Sequence, residues 1–129
     1  MIKLSITQIL ELYEKMNDAT GGDYGLRSLG ALESSIENAF VTFDGTDLYK
    51  STEDKIANTT FCIINNHPYI DGNKRMGIYL MLILLRMNNI EIHYIQSELV
   101  KLGLGIANGK ILQSDIVEWI EDHKNNSHK

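Results

Sequence analysis

The sequence has a single cysteine, a single proline and no long apolar run. With only Cys62, no internal disulfide can form, and the usage is compatible with a reducing cytoplasm. Cys62 lies in an apolar helical segment and reads as a small core residue, not a nucleophile. The longest apolar stretch, Ile78 to Leu85, falls far short of the roughly 20 residues that span a bilayer, so no membrane association is expected. The N-terminus has no basic region followed by an apolar run, so no secretory signal is expected and the location expected is cytoplasmic. Cations are also scarce: 12 Lys and Arg against 17 Asp and Glu give a net charge of −5. No basic face emerges outside Lys74-Arg75, which argues against direct nucleic-acid binding. An acidic surface does suit a basic protein partner. Internal repeats are absent. The 129 residues suit one domain, 1–124, with a polar tail at 125–129 and a core large enough to need no disulfide.

What is present is mostly helical periodicity. Ser5-Ile6-Thr7-Gln8 has capping-box spacing, and Ile6, Ile9, Leu10, Tyr13 and Met16 place a helix to about Asn17. The three glycines of Thr20 to Gly25 mark a loop, and a short helix follows from about Gly30 to Phe40. Asp44-Gly45 between Val41-Thr42-Phe43 and Thr46-Asp47-Leu48-Tyr49 predicts a β-hairpin. An isolated hairpin is marginal in water, so it is expected to lean on the helices and to offer a free edge to a peptide. Ser51 starts the next helix, with acids in its first turn, and the helix reaches Asn66. The segment from Asn73 to about Met87 is apolar nearly all round and reads as a buried central helix. Ser97 and Ser114 are read as caps of two closing helices.

Between those two apolar helices lies His67-Pro68-Tyr69-Ile70-Asp71-Gly72-Asn73-Lys74-Arg75. Pro68 disfavours helical backbone at His67, so the incoming helix should end there. Gly72 permits backbone angles closed to other residues. If Gly72-Asn73-Lys74 opens the next helix, its free N–H groups and dipole make an anion site, to which Lys74 and Arg75 add charge. Asp71 could hold Mg²⁺ together with substrate phosphate oxygens. His67 could serve as a general base in the same hollow. A base, a metal ligand and a phosphate-binding helix start together suggest phosphoryl or nucleotidyl transfer. Each residue alone has a plainer reading. His67 can be a helix-end histidine, Asp71 a turn residue, and Asn73 a cap instead of, or as well as, a nest residue. Lys74 and Arg75 can be solvated, although cations are unfavourable at a helix N-terminus.

The nine residues resemble the signature of the Fic/Doc superfamily, and more closely its Doc (death-on-curing) branch, H-x-F-x-D-[GA]-N-K-R. Gly25-Leu26-Arg27-Ser28 with Leu32-Glu33-Ser34 is similar to that family's N-terminal segment. The resemblance implies an all-α bundle around a buried central helix, with the hairpin (Phe43, Asp44, Gly45 and Thr46) as a substrate flap. It implies His67 as base, Asp71 as Mg²⁺ ligand, Gly72 and Asn73 as anion nest through backbone and side-chain N–H groups, and Lys74 and Arg75 as holders of the ATP phosphates. It further implies a toxin of a toxin–antitoxin pair that phosphorylates a threonine of elongation factor Tu and so blocks translation.

Lys74 stands where the broader family usually has glycine in an open nest for AMP transfer, which favours phosphorylation. Tyr69 departs from the usual phenylalanine, and its hydroxyl needs a partner if buried. The self-inhibitory [ST]-x-x-x-E-[GN] pattern is missing, because Glu33 precedes Glu37-Asn38 at the hydroxyl position, so inhibition would come in trans from a small antitoxin. The alternatives are AMP transfer to a protein hydroxyl and an inactive protein-binding module. Arg27 matches the family segment without a role that the sequence discloses.

Overall fold

The structure is a computed structural model that describes residues 1–21 and 25–124. Within them lie α1 (Ile6–Thr20), α2 (Leu29–Glu37), a 3₁₀ turn (Asn38–Phe40), β1 (Thr42–Phe43), β2 (Thr46–Asp47), α3 (Thr52–Asn66), α4 (Asn73–Met87), α5 (Gln96–Ala107) and α6 (Gln113–His123). The fold is all-α with one small hairpin, as expected. Part of the expected glycine loop, 22–24, and the tail 125–129 lie outside the described residues.

Local chemistry sets the helix starts. At α1 the Ser5 hydroxyl accepts from the Gln8 N–H at 3.1 Å, and the Gln8 side chain accepts from the Ser5 N–H at 2.9 Å. Ser51 and Asp54 repeat this reciprocal pair at α3. The expected caps Ser97 and Ser114 are not caps. Each lies inside its helix, which begins one residue earlier, at Gln96 and at Gln113. An acid in the first turn does the work instead: Glu98 accepts from the Ile95 N–H at 2.9 Å and Asp115 from the Leu112 N–H at 2.8 Å.

The core is one cluster, and α3 shares its centre with α4. α4 buries Met76, Leu80, Met81, Leu84 and Leu85; each apolar side chain removed from water stabilises by roughly 2 kcal/mol. α3 packs on α2, α4, α5 and α6, and buries polar Thr59 and Thr60 with Ile56, Ile63 and Ile64. That burial is tolerable because the two hydroxyls donate back to the Lys55 and Ile56 carbonyls at 3.1 and 2.9 Å. α3 and α4 meet closely at Gly77, where a Cβ would stand 2.6 Å from Ile64 Cγ1. Two buried side chains lack partners among the described residues: the Asn17 amide and the Tyr69 hydroxyl.

The hairpin pairs Thr42 with Asp47 and Phe43 with Thr46, antiparallel, across a turn in which Asp44 and Gly45 both have positive φ. It does not lean on the helices through apolar packing, since Val41 to Leu48 are all exposed. A polar clasp holds it. The buried ammonium of Lys55 on α3 reaches Asp47 at 3.2 Å and donates to the Tyr49 and Lys50 carbonyls. Buried charges persist where they are paired and hydrogen-bonded.

Two outcomes follow for stability. Gly77→Ala should cost about 1–3 kcal/mol, read from urea unfolding, because the α3–α4 contact has no room for a methyl group. Glu98, hydrogen-bonded first to His123 and then to the Ile95 N–H, has its pKa lowered from 4.5. A depressed carboxylate pKa adds stability above the unfolded value and loses it as pH falls through the folded one. Glu98→Gln should therefore flatten the fall in melting temperature below pH 4.5, measured by thermal melts across acid pH.

Candidate active site

α3 stops at Asn66. His67 takes a left-handed conformation, φ 49° and ψ 57°, not the extended one that a following proline favours. A non-glycine residue held there costs about 1–2 kcal/mol. In that turn His67 is exposed.

Tyr69 anchors the loop below it. Its ring is 1 % exposed and stacks on Tyr13 of α1, with centroids 3.7 Å apart and planes 12° off parallel. The Tyr13 hydroxyl donates to the Asp71 carbonyl at 2.8 Å. α1 thus grips the loop twice, through a stack and a hydrogen bond worth about 1 kcal/mol each. Burial, and secondarily Tyr13, push the Tyr69 phenol far above its ordinary pKa.

The Asn73 side chain has another set of partners than the expected anion. The amide is buried and turned inward, accepting from the Tyr69 N–H and donating to the Tyr69 carbonyl, both at 3.0 Å. Those two backbone groups are themselves buried and need partners. The groups at this helix start without partners are then backbone ones. Gly72, at φ 81°, opens α4, and no side chain caps that helix start. The first N–H groups of a helix have no intrahelical acceptor, so those of Asn73, Lys74 and Arg75 stay available to an anion.

Gly72 is required for space as well as angle. A Cβ there would stand 3.1 Å from Arg75 Nη2 and 3.3 Å from Met16 Cε, because the guanidinium folds back over the helix start. Arg75 Nη2 lies 3.7 Å from the Asp71 carboxylate, both side chains about half exposed. An exposed pair of this kind is worth under about 1 kcal/mol, so both groups can turn to a ligand at little cost. Among the described residues no three His, Cys, Asp or Glu gather as a metal cage. Asp71 alone fits the way Mg²⁺ is held beside phosphates, through one or two carboxylates plus phosphate oxygens and water.

Lys74 and Arg75 also border an apolar cleft of about 410 Å³ between α1, α4 and α5, lined among others by Met16, Ile78, Leu99 and Gly103. A second cleft, of about 530 Å³, lies around Arg86 and His93 at the other end of α4 and contains no residue of the nine-residue loop. The site thus combines an exposed imidazole, an available carboxylate, an uncapped helix start with two cations, and an apolar cleft at its edge. Phe43, 79 % exposed, Asp44, Gly45 and Thr46 project from the hairpin ahead of α3. Sequence reasoning passed over Tyr13, which looked like one more member of an apolar helical stripe. Cys62 is only partly buried, at the margin of the core and not in it, and burial raises its thiol pKa, the opposite of an activated thiol.

A helical bundle with this polar loop at the junction of its two central helices has a counterpart among known families. Residues 3–85 match the Fic/DOC family, and the chain belongs to that family. Among characterised proteins, the toxin Doc of Mycolicibacterium smegmatis is similar: 30% identical over 74 residues, which cover 57% of this chain and 57% of that protein. The chain thus matches a little over half the length of that curated relative.

The unpartnered Tyr69 hydroxyl yields a prediction. A buried unsatisfied polar group costs about 1–3 kcal/mol, so Tyr69→Phe should stabilise the protein by about 1 kcal/mol and leave the loop in place. Denaturant midpoints check this, and a destabilised variant would show that the hydroxyl has a partner.

Proposed function

We propose that this protein transfers the γ-phosphoryl group of ATP to a protein hydroxyl, with Mg²⁺, and that a threonine of elongation factor Tu is the acceptor. In this reading it is the toxin of a toxin–antitoxin pair, blocking translation until a small antitoxin restrains it. The observation that carries the reading is the exposed His67 in the loop that leads into an uncapped helix start bearing Lys74 and Arg75.

His67 takes the proton of the acceptor hydroxyl as that oxygen attacks the γ-phosphorus. The bond from the γ-phosphorus to the bridging oxygen of ADP breaks, and ADP leaves. The backbone N–H groups of α4 and the cations of Lys74 and Arg75 hold phosphate oxygens as charge shifts among them. Asp71 would hold Mg²⁺, whose charge offsets that of the phosphates when it is bound. The apolar cleft beside Lys74 suits the nucleoside. Lys74 favours phosphoryl over AMP transfer, because its side chain stands at the helix start where the AMP-transferring pattern has an open glycine. Glu33 in place of a hydroxyl residue leaves restraint to a separate antitoxin. The similarity to a toxin named Doc supports the toxin role.

Intact-mass spectrometry of elongation factor Tu after incubation with the protein, ATP and Mg²⁺ tests this. One added phosphoryl group is expected, with the rate reduced about 10²–10⁴-fold in His67→Ala. An added AMP would replace the kinase reading with nucleotidyl transfer. An unmodified factor together with absent nucleotide binding would favour an inactive binding module.

A further inference from the structure

We propose that Arg27 is a positioning residue for His67, acting as the side-chain cap of the α3 C-terminus. The inference rests on the reading of His67 as the base. α3 ends with His67 left-handed. A helix that ends this way ordinarily satisfies its last carbonyls with the N–H groups of the residues that follow. Here the next residue is Pro68, which has no N–H to give, and which drives the residue before it towards extended backbone. Backbone alone therefore neither caps this helix nor holds His67 where it stands.

Arg27 supplies donors from a side chain, to the carbonyls at the very end of the helix. Its Nη2 donates to the Asn66 carbonyl at 2.7 Å and its Nε to the His67 carbonyl at 2.5 Å. Both bonds come from one planar fork, so they fix an orientation as well as a distance. The donor is itself anchored. The Arg27 and Ser28 N–H groups donate to the Pro68 carbonyl at 2.8 and 3.0 Å, and Ile70 N–H donates to the Gly25 carbonyl at 3.0 Å. Leu26 and Tyr69 form an antiparallel bridge. One residue later, Ser28 caps α2 by accepting from the Ala31 N–H at 3.0 Å. The clamp therefore runs from a helix start to the backbone of His67. Its guanidinium bonds are to backbone carbonyls, which makes Arg27 a positioning residue and not a catalytic one.

The test uses the full chain with Arg27→Ala and Arg27→Lys. The first readout needs no substrate: the three-bond HN–Hα coupling and the Cα shift of His67 by NMR. Arg27→Ala should lose the left-handed values at His67 while the α4 signals stay in place. Arg27→Lys, a single point donor, should keep part of them. The second readout is γ-phosphoryl transfer from ATP to elongation factor Tu. For Arg27→Ala, kcat should fall on the order of 100-fold, as for a misplaced catalytic group, with the KM for ATP within about twofold, and the lysine variant should recover part of kcat. If the wild-type protein transfers nothing to that factor, the functional reading fails by itself and the NMR readout still decides the role of Arg27. Unchanged His67 coupling and shift in a folded Arg27→Ala protein would overturn the proposal. So would a raised KM with intact kcat, which would make Arg27 a substrate contact. Should Arg27→Ala fail to fold, Arg27→Lys carries the same two readouts, and unchanged His67 signals there overturn the proposal equally.

Discussion

Pro68 sets the constraint on which the site depends. It is the one proline in the chain, and it follows directly on the last residues of a helix packed against most of the bundle. Proline ends α3 by withholding an N–H and crowding the residue before it. That leaves the helix end without its usual backbone cap and one residue to be held in an unfavourable region. The molecule answers with a remote guanidinium. The same proline presents its carbonyl to the Arg27 and Ser28 N–H groups. The chain thus crosses over the loop at the point where the imidazole leaves it.

From that point each contact fixes the next. Tyr69 is buried and stacked on Tyr13, which sets the depth of the loop. Asn73 satisfies both backbone groups of Tyr69, which ties the first turn of α4 to that depth. Tyr13 holds the Asp71 carbonyl, and Gly72 leaves room for Arg75 to fold over the helix start. Individually these bonds are worth about 1 kcal/mol. Together they offset the left-handed strain at His67 and hold its neighbours on rigid helices, the arrangement that catalysis by positioning requires.

Much of this was legible because the loop is contiguous. Nine consecutive residues hold the imidazole, the carboxylate, the glycine and the cations, and the helices on either side announce themselves by apolar spacing. The hairpin was equally plain from Asp44-Gly45. What escaped the sequence was long-range or inward-facing. Nothing in the spacing says that Arg27 reaches the end of α3, or that Tyr13 is more than a core aromatic. Asn73 reads as an anion ligand, a cap or both, and nothing in the spacing says that its amide instead pairs with the buried Tyr69 backbone. Serines at 97 and 114 looked like caps because serine is a good one, yet acids one residue further on reach back and start the helix earlier. α3 was legible as apolar, but not the way its buried threonines are satisfied, by bonds to carbonyls one turn back.

The electrostatics give the site a short reach. The chain carries −5 overall, so at a distance it repels a nucleotide instead of steering it. Lys74, Arg75 and the helix dipole reverse that sign only locally, within about 8 Å at physiological salt. A long polyanion spread over the surface would meet net repulsion along most of its length. A compact polyanion whose charge is partly neutralised by a divalent cation meets little of it and gains the full set of N–H groups at α4. For an acidic protein with an uncapped, cation-flanked helix start, a small phosphate ligand with its counterion is the polyanion that fits, and it is the form in which the proposed reaction would use ATP.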